Sequence, residues 1–176
     1  MAQDDKTAET LEPALPPELE DRACDLLDRA DERDLQIATA ESCTGGLLAA
    51  LLTDVGGRGH VFERGFVTYT NEAKSEMLGI PAEVIEQHGA VSRTVALAMA
   101  EGALHRSKAD LALSITGFAG PGGKDDEEGL VHFACARRGG DNCHREEHFG
   151  AIGRGPVRIE ALKVLVEMME RAIEAA

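Results

Sequence analysis

Apolar positions along the chain switch repeatedly between a helical period of three to four residues and short apolar or β-branched runs. The helical period covers residues 17–34, 44–55, 71–78, 81–88 and 157–175, and a further helix opens at Ser92. Runs typical of strands are 35–40, 61–70, 110–116, 130–136 and 145–152. Strands that alternate with helices in this way predict an α/β domain layered around one central sheet.

The chain length suits a single domain that follows a tail. At 176 residues and 18.7 kDa the chain is short for two domains. Residues 1–16 are polar, acidic and contain proline, which favours a disordered acidic tail. The folded domain is therefore expected over residues 17–176.

Composition and charge exclude several classes of protein. With 32 acidic and 18 basic residues the net charge is -14, and the chain has no Trp and one Tyr, so we expect no nucleic-acid partner. No apolar run approaches the roughly 20 residues of a membrane span, and the acidic N-terminus lacks the apolar stretch of a signal peptide. We expect a cytoplasmic protein whose four cysteines, none in a CxxC pair, stay reduced.

The segment ATAESCTGG (38–46) leads from a strand into a buried helix. Ser42 or Thr44 can cap that helix, and Gly45 and Gly46 allow a ligand to approach its free N–H groups. Such a turn suits an anion, an oxyanion or a nucleophilic hydroxyl. A plain helix cap is the structural alternative, and the Cys43 thiol is a rival nucleophile.

The segment VTYTNEAK (67–74) contains the single tyrosine, Tyr69, near the end of a strand. Asn71 is a good N-cap, which would place Lys74 in the first helical turn. There the macrodipole disfavours a positive charge, as a lysine that acts as a base requires. The alternative is a surface lysine with a packed stem and a solvated head.

The segment SITGFAGPGG (114–123) delivers Thr116 and Gly117 from a strand to a glycine-rich loop with Gly120 and Gly122. Such loops present backbone N–H groups to anions, although this one lacks the Walker ending and a flexible connector is the alternative. Arg154 and Arg158 open the last helix, where they either bind phosphate or decorate the surface.

Histidines and cysteines near the end of the chain form a weaker candidate. Cys143, His144 and His148 have a spacing that could imitate a metal site, but on a strand they would not converge. We interpret His132 as a packing or edge residue. No metal or other cofactor is expected.

Four segments in one order carry a specific resemblance. They are ATAESCTGGLLAALLTDV, FERGFVTYTNEAKSEMLGI, HGAVS and SITGFAGPGG, and together they resemble the CinA C-terminal domain family from roughly Glu18 to the C-terminus. The resemblance implies a three-layer α/β/α sandwich around one central mixed sheet. It also implies a stand-alone form of the domain and a homodimer or larger oligomer.

Family members of known activity are nicotinamide mononucleotide (NMN) amidohydrolases. The resemblance therefore implies hydrolysis of the NMN carboxamide to nicotinate mononucleotide and ammonia, in pyridine nucleotide recycling. It places the serine nucleophile on Ser42, with Tyr69 and Lys74 as the other catalytic residues. Expected substrate contacts are Thr44, Gly45, Gly46, Asn71, Thr116, Gly117, Gly120, Gly122 and Arg154.

Two departures from the family pattern bear on substrate affinity. Ile152-Gly153-Arg154 stands where Gly-Asp-Arg is usual, and the acidic stretch GGKDDEEG replaces a PGGG extension. Two rival functions stay open at this point. One is a domain that binds a nucleotide or partner protein without turnover, and the other is an amidase or pyrophosphatase acting on a related nucleotide.

Overall fold

A computed structural model describes residues 15–176. Its elements follow the predicted order of helices and strands, and their bounds are α1 Pro17–Asp31, β1 Ile37–Glu41, α2 Leu47–Thr53, β2 Phe62–Val67, α3 Asn71–Leu78, α4 Ala82–His88, α5 Arg93–His105, β3 Leu111–Gly117, β4 Leu130–Arg137, β5 Cys143–His148 and α6 Arg154–Glu174. No helix between residues 15 and 176 is long and apolar enough to cross a membrane.

The five strands form one mixed sheet in the order β2-β1-β3-β4-β5. β1 pairs in parallel with β2 and β3, whereas β3, β4 and β5 pair antiparallel. The carboxyl ends of β1, β2 and β3 therefore lie at one edge of the sheet. That edge carries all three chemistry-bearing segments of the sequence, because each segment follows one of these strands.

Helices cover both faces of the sheet, and each face has its own apolar core. On one face α1, α2 and α6 pack against Ile37, Leu113 and Phe133. On the other face α3, α4 and α5 pack against Ala38, Ala112 and Ala134. The residues alternate between faces along each strand, as β geometry requires. The predicted three-layer α/β/α sandwich is confirmed.

Some predicted boundaries are wrong. The last strand is Cys143–His148 rather than 145–152, because its sequence CHREEH is polar on both faces and lies at the sheet edge. Thr70, not Asn71, caps α3, since its Oγ1 accepts a hydrogen bond from the Ala73 N–H. Residues 1–14 of the predicted tail lie outside the described residues, and Leu15 packs against the first core.

Candidate active site

A cleft of about 280 Å³ opens at the edge where β1, β2 and β3 end. This volume is near the lower end of the range for small-molecule sites. Eight of the sequence-predicted site residues line it, namely Ser42, Tyr69, Lys74, Thr116, Gly117, Gly120, Gly122 and Arg154. The fold thus brings together residues that are up to 112 positions apart in the sequence, from Ser42 to Arg154.

Ser42 lies directly after β1 in a turn that Glu41 organises. Alternation along β1 places Glu41 on the face that α2 covers, where its side chain is fully buried. Its carboxylate accepts hydrogen bonds from the Thr44 hydroxyl at 2.7 Å and from the N–H groups of Gly46, Leu48 and Ala49. One buried carboxylate therefore fixes the turn and the start of α2.

This arrangement corrects the prediction for the α2 N-terminus. Neither Ser42 nor Thr44 is the N-cap; that position is Gly46, with a φ of 101°. The first N–H groups of α2 point to Glu41 and are not free for a ligand. Within residues 15–176, the N–H groups of Cys43 and Thr44 in the turn have no hydrogen-bond acceptor.

Arg158 of α6 supports the same turn from the other side. Its Nε donates a 2.8 Å hydrogen bond to the Cys43 carbonyl. Of the two arginines named from the sequence, Arg158 is therefore a support of the turn after Ser42, and Arg154 is the one that lines the cleft.

Lys74 is among the largest fully buried side chains in the described part of the chain, with 1% of its surface exposed. Its Nζ donates hydrogen bonds to the carbonyls of Thr68 at 2.8 Å and Tyr69 at 3.3 Å. The third neighbour of Nζ is the Ser42 hydroxyl oxygen at 3.1 Å. The segment between β2 and α3 thus curls around the lysine head and directs it at Ser42.

The charge of Lys74 has no local compensation. Within the described residues no carboxylate forms an ion pair with Nζ. Burial lowers the pKa of Lys74 below its ordinary value of 10.5. In a neutral amine two hydrogens satisfy the two carbonyls, so the nitrogen lone pair faces the Ser42 hydroxyl.

Tyr69 faces the cleft with its side chain and contacts Lys74 with its backbone. Its side chain lines the cleft but is 67% exposed, so it does not shield Lys74 from water. The contact between the two residues is made by the Tyr69 backbone carbonyl. Since Ser42 contacts Lys74 directly, proton transfer between them needs no tyrosine relay.

The Cys43 thiol is a poor rival for Ser42. It is buried, with 5% of its surface exposed. Burial raises its pKa to about 12, so the thiol stays protonated at neutral pH. Because a thiolate is the nucleophilic form of cysteine, the geometry favours the hydroxyl of Ser42.

The glycine-rich loop and Arg154 form the far wall of the cleft. A Cβ on Gly120 would lie 2.9 Å from Nη2 of Arg154, so only a glycine allows the guanidinium to lie this close. Thr116 donates its hydroxyl hydrogen to the Ala90 carbonyl and thereby holds the segment between α4 and α5 against the cleft. This wall combines a cation with backbone N–H groups.

The acidic stretch GGKDDEEG folds back onto this loop. The Asp126 carboxylate accepts a 2.6 Å hydrogen bond from the Gly123 N–H. It also lies over Gly122, where a Cβ would meet the carboxylate at 2.5 Å. Asp126 therefore occupies one backbone N–H of this loop and adds a negative charge beside it.

Four sequence-predicted substrate contacts do not line the cleft. The Thr44 hydroxyl is buried on Glu41. Gly45 and Gly46 supply left-handed backbone to the turn, with φ values of 64° and 101°. Asn71 lies instead beside a separate cleft between α3 and α4.

Sequence reasoning missed Glu41 and Thr68, and it named Arg158 without its role in the turn. An acidic residue at the end of an apolar strand was the available signal for Glu41, since a carboxylate is stabilising near the N-terminus of the helix that follows. Thr68 acts through its backbone carbonyl, for which a sequence carries no signal. The partner of Arg158 lies 115 positions away in the chain.

The weaker metal candidate takes a different form in the structure. Cys143 and His144 lie on opposite faces of β5, so they do not share a ligand position. His148 contacts Glu127 and Glu146. His144 lies beside His132 of the neighbouring strand, with 3.1 Å between the two ring nitrogens.

Comparison with known sequences gives consistent matches. A sequence model of the CinA C-terminal domain matches residues 19–173. The Escherichia coli K12 protein named nicotinamide-nucleotide amidohydrolase PncC is 49% identical over 131 residues, which cover 73% of this chain and 79% of that protein. A CinA-like protein from Akkermansia muciniphila is 56% identical over 112 residues, which cover 62% of this chain but only 27% of the relative. The match thus spans about a quarter of that longer relative.

Solved structures agree with the sequence matches. The competence/damage inducible protein CihA from Agrobacterium tumefaciens has a TM-score of 0.87 and 44% identity, and the match covers 91% of this chain and 98% of that one. A CinA superfamily protein from Escherichia coli has a TM-score of 0.81 and 33% identity, over 94% of this chain and 95% of that one.

Proposed function

The chain belongs to the CinA C-terminal domain family, and we propose that it hydrolyses the carboxamide of NMN to nicotinate mononucleotide and ammonia. Support for the substrate comes from the relative named nicotinamide-nucleotide amidohydrolase. Support for the chemistry comes from the cleft itself. The product, nicotinate mononucleotide, would then enter pyridine nucleotide recycling.

One observation carries the proposal. A buried lysine without a carboxylate partner lies 3.1 Å from a serine hydroxyl at the edge of a cleft. A domain that only binds a nucleotide has no use for this pair, because burying an unpaired amine is costly. A nucleophile and the base that activates it need this spacing.

The first chemical step uses Ser42 as the nucleophile. Neutral Lys74 takes the hydroxyl proton while the serine oxygen forms a bond to the carboxamide carbon. The carbonyl oxygen becomes an oxyanion, which the N–H groups of Cys43 and Thr44 stabilise. Glu41 and Arg158 position these two donors by holding the turn.

The second step releases ammonia. The C–N bond breaks, and the Lys74 ammonium returns its proton to the leaving nitrogen, so the enzyme holds a serine ester. Water then attacks this ester with neutral Lys74 as the base. Ser42 recovers its proton from Lys74, and the product leaves as a carboxylate. Every proton role has a group in the cleft, so the proposed reaction uses no metal.

The phosphate of NMN is assigned to the far wall. Arg154 supplies a guanidinium beside Gly120, and the loop after Thr116 supplies backbone donors. Within residues 15–176 the Arg154 guanidinium forms no hydrogen bond or ion pair, so it is available to a ligand. Tyr69, which is exposed and lines the cleft, is assigned to the pyridine ring.

The test is ammonia release from NMN, nicotinamide and glutamine, each with and without a chelator. We expect ammonia from NMN, far less from the two amides that lack the nucleotide phosphate, and no loss of rate in EDTA. NMN that binds without releasing ammonia would instead establish the binding domain. Activity lost in EDTA and restored by one divalent metal would contradict the metal-free reaction and favour the pyrophosphatase-like alternative.

Assembly and location belong to the same proposal. We also propose a homodimer, for which the exposed apolar side chains of Val67 and Met77, 47% and 40% exposed, are candidate contacts. Light scattering should report about twice 18.7 kDa; a particle of the monomer mass at micromolar concentration contradicts it. The four free cysteines fit the reducing cytoplasm.

A further inference from the structure

A second cluster of chemistry-bearing side chains lies at the β4–β5 edge. His132 is the register partner of Glu146 across the two strands, and His144 pairs with Ala134. Alternation places His132, His144 and Glu146 on the face of the sheet that α5 covers. None of these residues takes part in the proposed hydrolysis.

The three side chains converge on one point. Nδ1 of His132 lies 3.1 Å from Nε2 of His144 and 3.4 Å from Oε2 of Glu146. One ligand atom from each residue falls within 4.8 Å of the others. Around a tetrahedral ion with bonds of 2.0–2.1 Å, neighbouring ligand atoms are about 3.3 Å apart. Two separations already match this spacing, and the third, between His144 and Glu146, is no more than 4.8 Å.

The surroundings favour a cation at that point. His132 is 7% exposed, so little water competes for its ring nitrogen. Glu146 is held in place because its second oxygen contacts His148 Nε2 at 3.0 Å, and His148 in turn contacts Glu127 at 2.6 Å. Arg93 at the start of α5 is an opposing positive charge near His144. The carboxylates of Glu127 and Glu146 thus compensate the positive charges of His148 and Arg93 around the cluster.

We propose that His132, His144 and Glu146 bind one divalent transition-metal ion, with zinc as the best fit and water as the fourth ligand. Two imidazoles and a carboxylate are the donors that zinc prefers in open sites. The ion would join the edge strand β5 to β4. It would also lie one strand away from the cleft, because His132 is the register partner of Thr116 in β3.

The experiment uses the full chain, stripped with a chelator and then titrated with zinc chloride. We expect a 1:1 complex of about micromolar affinity or tighter. At 100 times the dissociation constant, zinc should raise Tm by about 5–10 °C. No binding at a stoichiometry of one, or no change in Tm, overturns the proposal.

Variants separate this site from other ligands. H144Q and E146Q, at half-buried and exposed positions, should fold and weaken zinc binding by about tenfold or more. H88Q, at an exposed histidine of α4, is the matched control and should bind as the wild type does. Equal affinity in H144Q and wild type contradicts the assignment.

The thiols of Cys135 and Cys143 are the strongest alternative zinc ligands near this cluster. Cys143 has a pKa lowered to about 6 by its contact with Cys135, so a thiolate could capture zinc. C143S should therefore retain the affinity, and bound Co²⁺ should show no sulfur-to-metal charge-transfer band. Loss of binding in C143S, or appearance of that band, would assign the ion to the cysteines and overturn the proposal.

Discussion

The hydroxyl of Thr44 donates a 2.7 Å hydrogen bond to the carboxylate of Glu41, deep under the helix that follows Ser42. The two residues close a loop of backbone around the proposed nucleophile. The same carboxylate accepts hydrogen bonds from two N–H groups of α2 and from that of its N-cap, Gly46. Glu41 is thus a positioning residue for Ser42, although it does not touch the cleft.

E41Q should destabilise the protein and slow the reaction. A glutamine amide keeps one acceptor oxygen and turns an NH₂ group toward a backbone N–H, so a buried donor loses its partner. We expect a loss of about 2 kcal/mol or more, which lowers Tm by about 4–8 °C. Thermal unfolding measures it, together with kcat on the folded variant.

The matched control for Glu41 is E86Q on α4, an exposed carboxylate with no hydrogen bond among the described residues. The control should change the free energy of unfolding by no more than about 0.5 kcal/mol. Equal effects of the two variants would show that Glu41 does not organise the turn.

Glu41 also shows where sequence reasoning ends. The order of helices and strands follows from hydrophobic periodicity, and it was predicted in full. The role of Glu41 depends on how α2 crosses the end of β1, which is a property of packing. The polar strand β5 was misplaced for a related reason: CHREEH has no apolar face, and only its pairing with β4 defines it.

The sequence predicted those candidate site residues that lie where a strand ends or a helix begins. Ser42, Lys74 and Arg154 were named from the sequence because each follows a strand or opens a helix, and all three line the cleft. The acceptors of Lys74 are backbone carbonyls, which no sequence pattern encodes. The hydrogen bond from the Gly123 N–H to Asp126 depends on the loop conformation, which no sequence pattern encodes either.

Substitution of the two arginines at the start of α6 should change different kinetic parameters. R154A removes a cation from the cleft wall, so KM for NMN should rise by about tenfold or more while kcat changes little. R158A removes the donor to the Cys43 carbonyl, so the turn after Ser42 loosens and kcat should fall. Steady-state kinetics on both variants measure this, and the opposite split would contradict the roles assigned here.

Asp126 should weaken substrate binding in the wild-type protein. Its carboxylate lies on the loop assigned to the phosphate, and like charges repel. D126N keeps the side-chain shape and removes the charge, so KM for NMN should fall by about two- to fivefold, with the larger effect at low salt. D125N, next to it and also exposed, is the control. An unchanged KM in D126N would show that the acidic stretch does not affect the proposed phosphate site.

S42A should abolish amide hydrolysis and keep the fold. Without the hydroxyl no serine ester forms, and we expect kcat to fall by at least about 10³-fold. C43A removes only a protonated thiol and should keep kcat within about tenfold of wild type. Ammonia release and circular dichroism check the two variants together. If S42A retained wild-type kcat, the nucleophile would have to be Cys43 or a water molecule.

The sharpest prediction concerns Lys74, because base and binding roles respond differently to arginine. K74R keeps a positive charge but does not deprotonate, so as a base it should lose kcat by about 10²-fold or more. If the lysine only held substrate by charge, K74R would keep kcat and change KM. Since an arginine has to fit where 1% of the lysine is exposed, K74M is the second variant, and it should lose kcat equally.

The pH profile gives an independent test of the same residue. The active form of Lys74 is the neutral amine, so kcat/KM should rise with pH through the lysine pKa. Burial lowers that pKa, which brings the rise below the ordinary value of 10.5. In K74M the proton acceptor is absent, so the rise should vanish along with most of the rate. A K74R variant with near-normal kcat, or a K74M profile that kept the wild-type rise, would remove Lys74 from the mechanism and leave Tyr69 as the next base to test.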